Sequence, residues 1–158
     1  MAFRRHRDHI LPVKSLLCNV PIFAGLEDEA LEILLEHAER VAVPDGEVVA
    51  SEGEVNNCMY VIETGKVCIM KNCPGRGAVE LAVLGPGEFF GEMCILEAQP
   101  RSATAIAAGQ VTVVRIASPA FYHLYQRIPK QHSILLLNMA RDLSRRLRRL
   151  DEIFAARH

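Results

Sequence analysis

The sequence predicts a mainly β domain with flanking helices, an α+β arrangement built on an eight-stranded, jelly-roll-like β-roll. Three observations predict it. Eight short runs rich in β-branched and aromatic residues, VAV, EVVAS, CMYVIE, KVCIM, AVELAVL, EFF, ATAIAA and VTVVRI, follow one another between Val41 and Ile116. Nine of the ten glycines fall between Gly46 and Gly109, close to the breaks between those runs, as turn residues do. Helical periodicity is confined to the two ends of the chain. With 158 residues, the chain can bury roughly two-thirds of its unfolded surface around one core, and two full domains are not expected.

The elements follow in order. Residues 1–15 form a basic tail carrying Arg4, Arg5 and Arg7, and the domain occupies 16–158. Helices are expected over 16–40: from Glu27 to Arg40, Ala30, Leu31, Leu34, Leu35 and Ala38 recur at helical spacing, with Glu32, Glu36 and Glu39 on the other side. The β-roll takes 41–117. Two helices then fill 118–156. Ser118-Pro119 has the pattern of an N-cap followed by a first-turn proline, and Ile128-Pro129 restarts a second helix that runs to about residue 155. In that last helix Leu136, Ala140, Leu143, Leu147, Leu150 and Phe154 follow a heptad seam, which suits packing on the roll of the same chain or on a second copy in a dimer.

Composition narrows the function classes. Half of the residues are apolar and 23% are charged, yet no apolar run approaches the roughly 20 residues a membrane span needs, and no export stretch follows the N-terminal arginines. A cytoplasmic protein is expected. The five cysteines, Cys18, Cys58, Cys68, Cys73 and Cys94, are odd in number and contain no C-x-x-C, so they fit neither a disulfide framework nor a zinc site. The net charge of −1 conceals a segregation: residues 21–100 carry 15 acidic and 4 basic side chains, and most of the positive charge lies at the two ends.

The chemistry is concentrated between Leu84 and Ala107, LGPGEFFGEMCILEAQPRSATAIA. After a strand ending at Phe90, Gly91 permits a close turn, and Glu92 to Leu96 can form a short helical turn whose free N–H groups face an anion. Nine residues beyond Glu92 stands Arg101, whose forked donors suit a phosphate, followed by the hydroxyls of Ser102 and Thr104. An acid next to an anion site is repulsive unless the ligand also presents hydroxyl donors. A ribose 2′-OH beside a phosphate satisfies both groups. An isolated G-E…R would instead suggest an ion pair between Glu92 and Arg101.

The stretch F-G-E-M…P-R-S-A-T resembles the phosphate-binding cassette of the cyclic nucleotide-binding domain family. The resemblance covers roughly residues 16 to 150, including VPIFAGL before the first helix and the turn glycines of VPDGEVVASEGE and YVIETGKV. It is especially similar to the cytoplasmic domain of bacterial cyclic-nucleotide-regulated potassium channels. The resemblance implies a non-catalytic sensor for cyclic AMP or, less favoured, cyclic GMP, with no cofactor. It implies that Glu92 accepts the ribose 2′-OH and that Arg101 pairs with the cyclic phosphate. Phe90, Gly91, Met93 and Cys94, together with Ser102 and Ala103, would complete the phosphate site, and Val83 would wall the base. Cys94 stands where the family usually has a smaller residue. A residue of the last helix would cover the purine, with matching positions at Asp142 or Arg146 and Arg145 as an alternative.

Other classes are weighed against this one. A cupin-type metalloenzyme needs histidines on its barrel strands, and none occurs between His37 and His123, so no metal site is expected in the roll; His6 and His9 could chelate weakly. The nucleophiles of the roll lie far from any histidine in sequence, so no Ser-His-Asp or Cys-His pairing is expected. The arginines from Arg141 to Arg149 lack interleaved aromatics, so sequence-specific DNA binding is not expected. The chain opens on Met with a basic tail, which favours a standalone protein over a fragment of a channel or larger regulator. Ligand binding would reposition the last helix and signal through a homodimer or a separate effector protein.

Overall fold

The computed structural model describes residues 10–157. Its elements are α1 (Ile10–Cys18), a 3₁₀ turn (Pro21–Phe23), α2 (Asp28–Leu35), β1 (Ala38–Val43), β2 (Val48–Ala50), β3 (Cys58–Cys73), β4 (Gly77–Leu84), β5 (Phe89–Phe90), α3 (Glu92–Glu97), β6 (Thr104–Ala117), α4 (Ser118–Arg127) and α5 (Pro129–Ala155). All strand pairs are antiparallel, in the order β1-β6-β3-β4, with β2 on β6 and β5 on β3.

The mainly β architecture with flanking helices is the one expected, with six strands in place of eight. All eight runs map onto strands, with Glu47, Ser51, Glu88 and Ala103 just outside them. CMYVIE and KVCIM fuse into β3 across Gly65, and ATAIAA and VTVVRI fuse into β6 across Gly109. Gly65 bends the long strand without ending it: at φ +84° it is left-handed, and a Cβ there would collide with the carbonyl of Gln110. Two other boundaries shift. Helix α1 starts at Ile10, so the basic tail does not extend to residue 15; the arginines and histidines of residues 1–9 lie outside the described residues. Helix α2 ends at Leu35, and Ala38, Glu39 and Arg40 belong to β1, paired with Ile116, Arg115 and Val114 of β6. Ser118 opens α4 as a helical residue, so the N-cap position falls on Ala117, which makes no side-chain capping bond.

Two cores share the central strands. Alternate side chains of a strand point to opposite faces, so the continuous apolar run of β3 is buried on both. Cys58, Tyr60 and Ile62 point into the roll with Phe90, Val111 and Val113, whereas Met59 and Val61 point to the helices with Phe89, Val114 and Ile116. The helical layer adds Leu17, Ile22, Phe23, Leu31 and Leu34, then Leu124 from α4 and Leu135 and Met139 from α5.

The first half of α5 is locked to this layer. Gln131 Oε1 accepts the Glu27 N–H at 2.8 Å, and Asn138 Nδ2 donates to the carbonyls of Ile22 at 3.1 Å and Ala24 at 2.7 Å. The row Gln131, Leu135 and Met139 is buried. The predicted seam falls on another face: Leu136 is 40%, Leu147 60% and Leu150 61% exposed, so this chain's own roll does not cover it.

Candidate functional site

The segment after β5 builds one end of a cleft of about 360 Å³ lined by strand and α3 residues, Arg101 to Ala103, and Arg146 from α5. Gly91 makes the sharp turn at φ +84°, ψ 6°. Its missing Cβ leaves room for two neighbours, Arg101 Nη1 and the Cys58 carbonyl, each 2.8 Å from where that carbon would sit. The turn and the arginine are therefore packed together, which accounts for both residue types at this spacing.

Arg101 is 5% exposed. Its Nη2 donates to the carbonyls of Asn56 and Cys58, both at 2.9 Å, and its guanidinium lies over the Tyr60 ring, 5.2 Å from the centroid. Tyr60 in turn stacks on Phe90 with centroids 5.0 Å apart. The main chain of Arg101 is also fixed: its N–H donates to the Glu54 carbonyl, and its own carbonyl accepts from Gly53. Among the described residues no carboxylate pairs with this cation, and its Nε has no hydrogen-bond partner. A buried charge in that state is costly until an anion compensates it.

Glu92 does not pair with Arg101. Its side chain, 4% exposed, meets Arg146 instead, with Nη1 donating to Oε1 at 2.9 Å. Arg146 also sits over the Phe89 ring at 5.0 Å and 2.8 Å from Asp142 Oδ2, an ion contact too poorly aligned to be a hydrogen bond. Burial pushes the Glu92 carboxyl above the ordinary glutamate range. The Arg146 cation and Glu92's own backbone N–H pull the other way, and Asp142 adds to the upward push.

The structure brings Phe90, Gly91, Glu92, Met93, Cys94, Arg101, Ser102, Ala103 and Arg146 to the one cleft. Val83 is the exception: it is 47% exposed on the outer face of β4, and its neighbours Ala82 and Leu84 line the cleft. The two-residue period of β4 carried that signal. Cys94 does not offer its N–H to the cleft, since it donates back to the Gly91 carbonyl at 3.2 Å. The Thr104 hydroxyl is also occupied, accepting the Glu52 N–H at 2.9 Å. Of the last-helix candidates only Arg146 lines the cleft; Arg145 donates to the Arg141 carbonyl at 3.3 Å.

Sequence reasoning missed Tyr60, Phe89 and the carbonyls of Asn56 and Cys58, which hold the two arginines. It also missed Lys71, whose ammonium donates to the Ser102 carbonyl at 2.6 Å and to Glu52 at 3.2 Å, steadying the strand that follows Arg101. The main-chain acceptors have no side-chain signature.

The model of the cyclic nucleotide-binding domain matches residues 40–128. The cyclic AMP receptor protein of Thermus thermophilus is 33% identical over 131 residues, 83% of this chain and 59% of the receptor. A cyclic nucleotide-gated potassium channel of Mesorhizobium japonicum is 34% identical over 116 residues, 73% of this chain and 31% of the channel. The chain thus spans well under two-thirds of these relatives. A cyclic nucleotide-binding domain from Methylobacillus flagellatus has the same fold, with a TM-score of 0.80 at 24% identity over 94% of this chain and 84% of that one. From its matched region, its roll and its glycine-acid-arginine cleft, the chain belongs to the cyclic nucleotide-binding domain family.

Proposed function

We propose that this chain is a non-catalytic, cytoplasmic receptor for a cyclic purine nucleotide, cyclic AMP in preference to cyclic GMP, and that the ligand acts by repositioning α5. The observation that carries the reading is Arg101, a buried guanidinium on the cleft lining with no acidic partner among the described residues and an Nε without a hydrogen-bond partner. A cyclic phosphate supplies the missing negative charge, and each charge-assisted bond contributes about 1.5–3 kcal/mol. The ribose 2′-OH donates to Glu92, the one deeply buried acid of the lining. The base lies toward Ala82 and Leu84. The name of one relative, the cyclic AMP receptor protein, favours the adenine nucleotide. Among the described residues the cleft lining holds no histidine, and its one deeply buried acid, Glu92, engages Arg146, which supports a binding role.

A ligand hydroxyl at Glu92 competes with the Arg146 guanidinium, which is then released toward the base. Because Arg146 belongs to α5, the exchange biases that helix between two positions. The output surface is the exposed seam, which pairs with a second copy and signals through protein contact rather than through DNA.

Calorimetry with cyclic AMP and cyclic GMP, titrated separately, tests the reading. One equivalent of cyclic AMP per chain, bound more tightly than cyclic GMP, is expected; binding of neither overturns it. Spin labels on α5 and β3 should report a distance change on adding cyclic AMP, and an unchanged distance removes the switching step alone. Replacing Leu147 and Leu150 by Glu should yield monomers in sedimentation with nucleotide affinity retained. Dimers that persist would place the interface elsewhere.

A further inference from the structure

The two histidines that bracket the histidine-free roll in sequence are neighbours in space. His37 follows α2 and leads into β1, and His123 lies in the middle of α4. His37 Nε2 and His123 Nδ1 are 3.0 Å apart, one donating to the other. Their rings are 4.7 Å apart at 68° between planes. A carboxylate oxygen of Glu36 completes a group of three ligand atoms within 4.8 Å of one another.

We propose that Glu36, His37 and His123 form a binding site for a divalent transition-metal ion of zinc type, outside the nucleotide cleft and independent of it. The donor set of two imidazole nitrogens and one carboxylate oxygen matches zinc, with a water in the fourth position. Two nitrogens bound tetrahedrally at about 2.0–2.1 Å from zinc lie roughly 3.3 Å apart, so the rings need to separate by only a few tenths of an ångström. Both histidines are half-buried and anchored: His37 lies in the turn between α2 and β1, where its carbonyl accepts the Ala117 N–H at 3.2 Å, and His123 is fixed by its helix. Glu36 is exposed, and among the described residues its carboxylate ion-pairs with Arg127, at 3.6 Å. Such an exposed pair contributes about 0–1 kcal/mol, so it yields readily to a metal. A bound ion joins the end of α2 to α4, the helix that leads directly into α5, and so restrains the base of the moving element.

The test uses the full chain without an affinity tag. Calorimetry should show one equivalent of Zn2+ bound, with the thermal midpoint rising as Zn2+ is added. Co2+ should give a visible absorption band that Zn2+ bleaches. His37→Gln and His123→Gln should each weaken Zn2+ binding about tenfold or more. Glu36→Gln, on the surface and safe for folding, should weaken it by a smaller factor. A variant with His6 and His9 both replaced by Gln should bind as the parent does. The proposal is overturned if the parent binds no Zn2+, if binding survives loss of His37 and His123, or if it disappears with His6 and His9.

Discussion

Two arginines face the same cleft from opposite elements, and they are held in opposite ways. Arg101 comes from the roll: it is buried, bound to two main-chain carbonyls and stacked on Tyr60, yet without a countercharge among the described residues. Arg146 comes from the exposed half of α5: its side chain is 46% exposed and reaches both Glu92 and Asp142. The first is preorganised and electrostatically incomplete, the second complete but loosely placed. Affinity in such a site should come from the incomplete group, because it gains a partner without rearrangement. Response should come from the complete one, because it must exchange partners when ligand enters.

The strongest way to break the rigid end is Gly91→Ala. The left-handed backbone costs a residue with a Cβ about 1–2 kcal/mol, and that atom would press on the Cys58 carbonyl and on Arg101 Nη1. A loss of about 2 kcal/mol or more is expected in denaturant melts, together with loss of measurable nucleotide binding. An unchanged melt would mean that Gly91 and Arg101 are not packed as described. Arg101→Ala should lower nucleotide affinity about ten- to a hundredfold in calorimetry. Because it also strands the carbonyls of Asn56 and Cys58, Arg101→Lys serves as a gentler companion. It keeps the charge but cannot reproduce the fork, and it should fall between the two.

At the other end, Arg146→Ala should cost about 1–3 kcal/mol of stability at neutral pH, since it leaves the buried Glu92 carboxyl without its cation. Its effect on nucleotide affinity should stay below tenfold, while the ligand-induced displacement of α5 shrinks. If Arg101→Ala and Arg146→Ala weaken binding equally, the contrast between a binding arginine and a responding one is lost.

That contrast was only half legible in the sequence. The motif placed Glu92 and Arg101 together because Gly91 and the nine-residue spacing encode a local turn and return. The strand runs were equally visible, being buried on both faces. The count of eight failed because glycine usually punctuates strands, whereas Gly65 and Gly109 bend long ones that stay paired across the break. The Val83 assignment failed by one residue, which in a strand exchanges inside for outside. The partner of Glu92 was the least legible feature. Arg146 is 54 residues away on a separate helix, and three positions of that helix were candidates until its packing on Gln131, Leu135 and Met139 fixed which face turns toward the cleft.

The subtlest expected effect concerns the acid that Arg146 covers. Burial raises the folded-state pKa of Glu92 above its unfolded value, so the native state holds this proton more tightly than the unfolded chain does. The stability that the protonated carboxyl contributes is fully present below the ordinary glutamate range and is lost as pH rises through the raised value. Glu92→Gln has no proton to lose. Its stability relative to the parent should therefore improve as pH climbs above the ordinary glutamate range and level off above the raised value, as read from urea midpoints at a series of pH values. A flat difference between the two proteins would mean that Glu92 is not desolvated as described. Nucleotide affinity should move the opposite way, falling by about tenfold or less, because a neutral amide oxygen is a weaker acceptor for a ribose hydroxyl than a carboxylate. A residue that lowers stability at neutral pH and raises affinity is retained for the ligand, whereas a purely structural partner of Arg146 would raise stability and leave affinity unchanged.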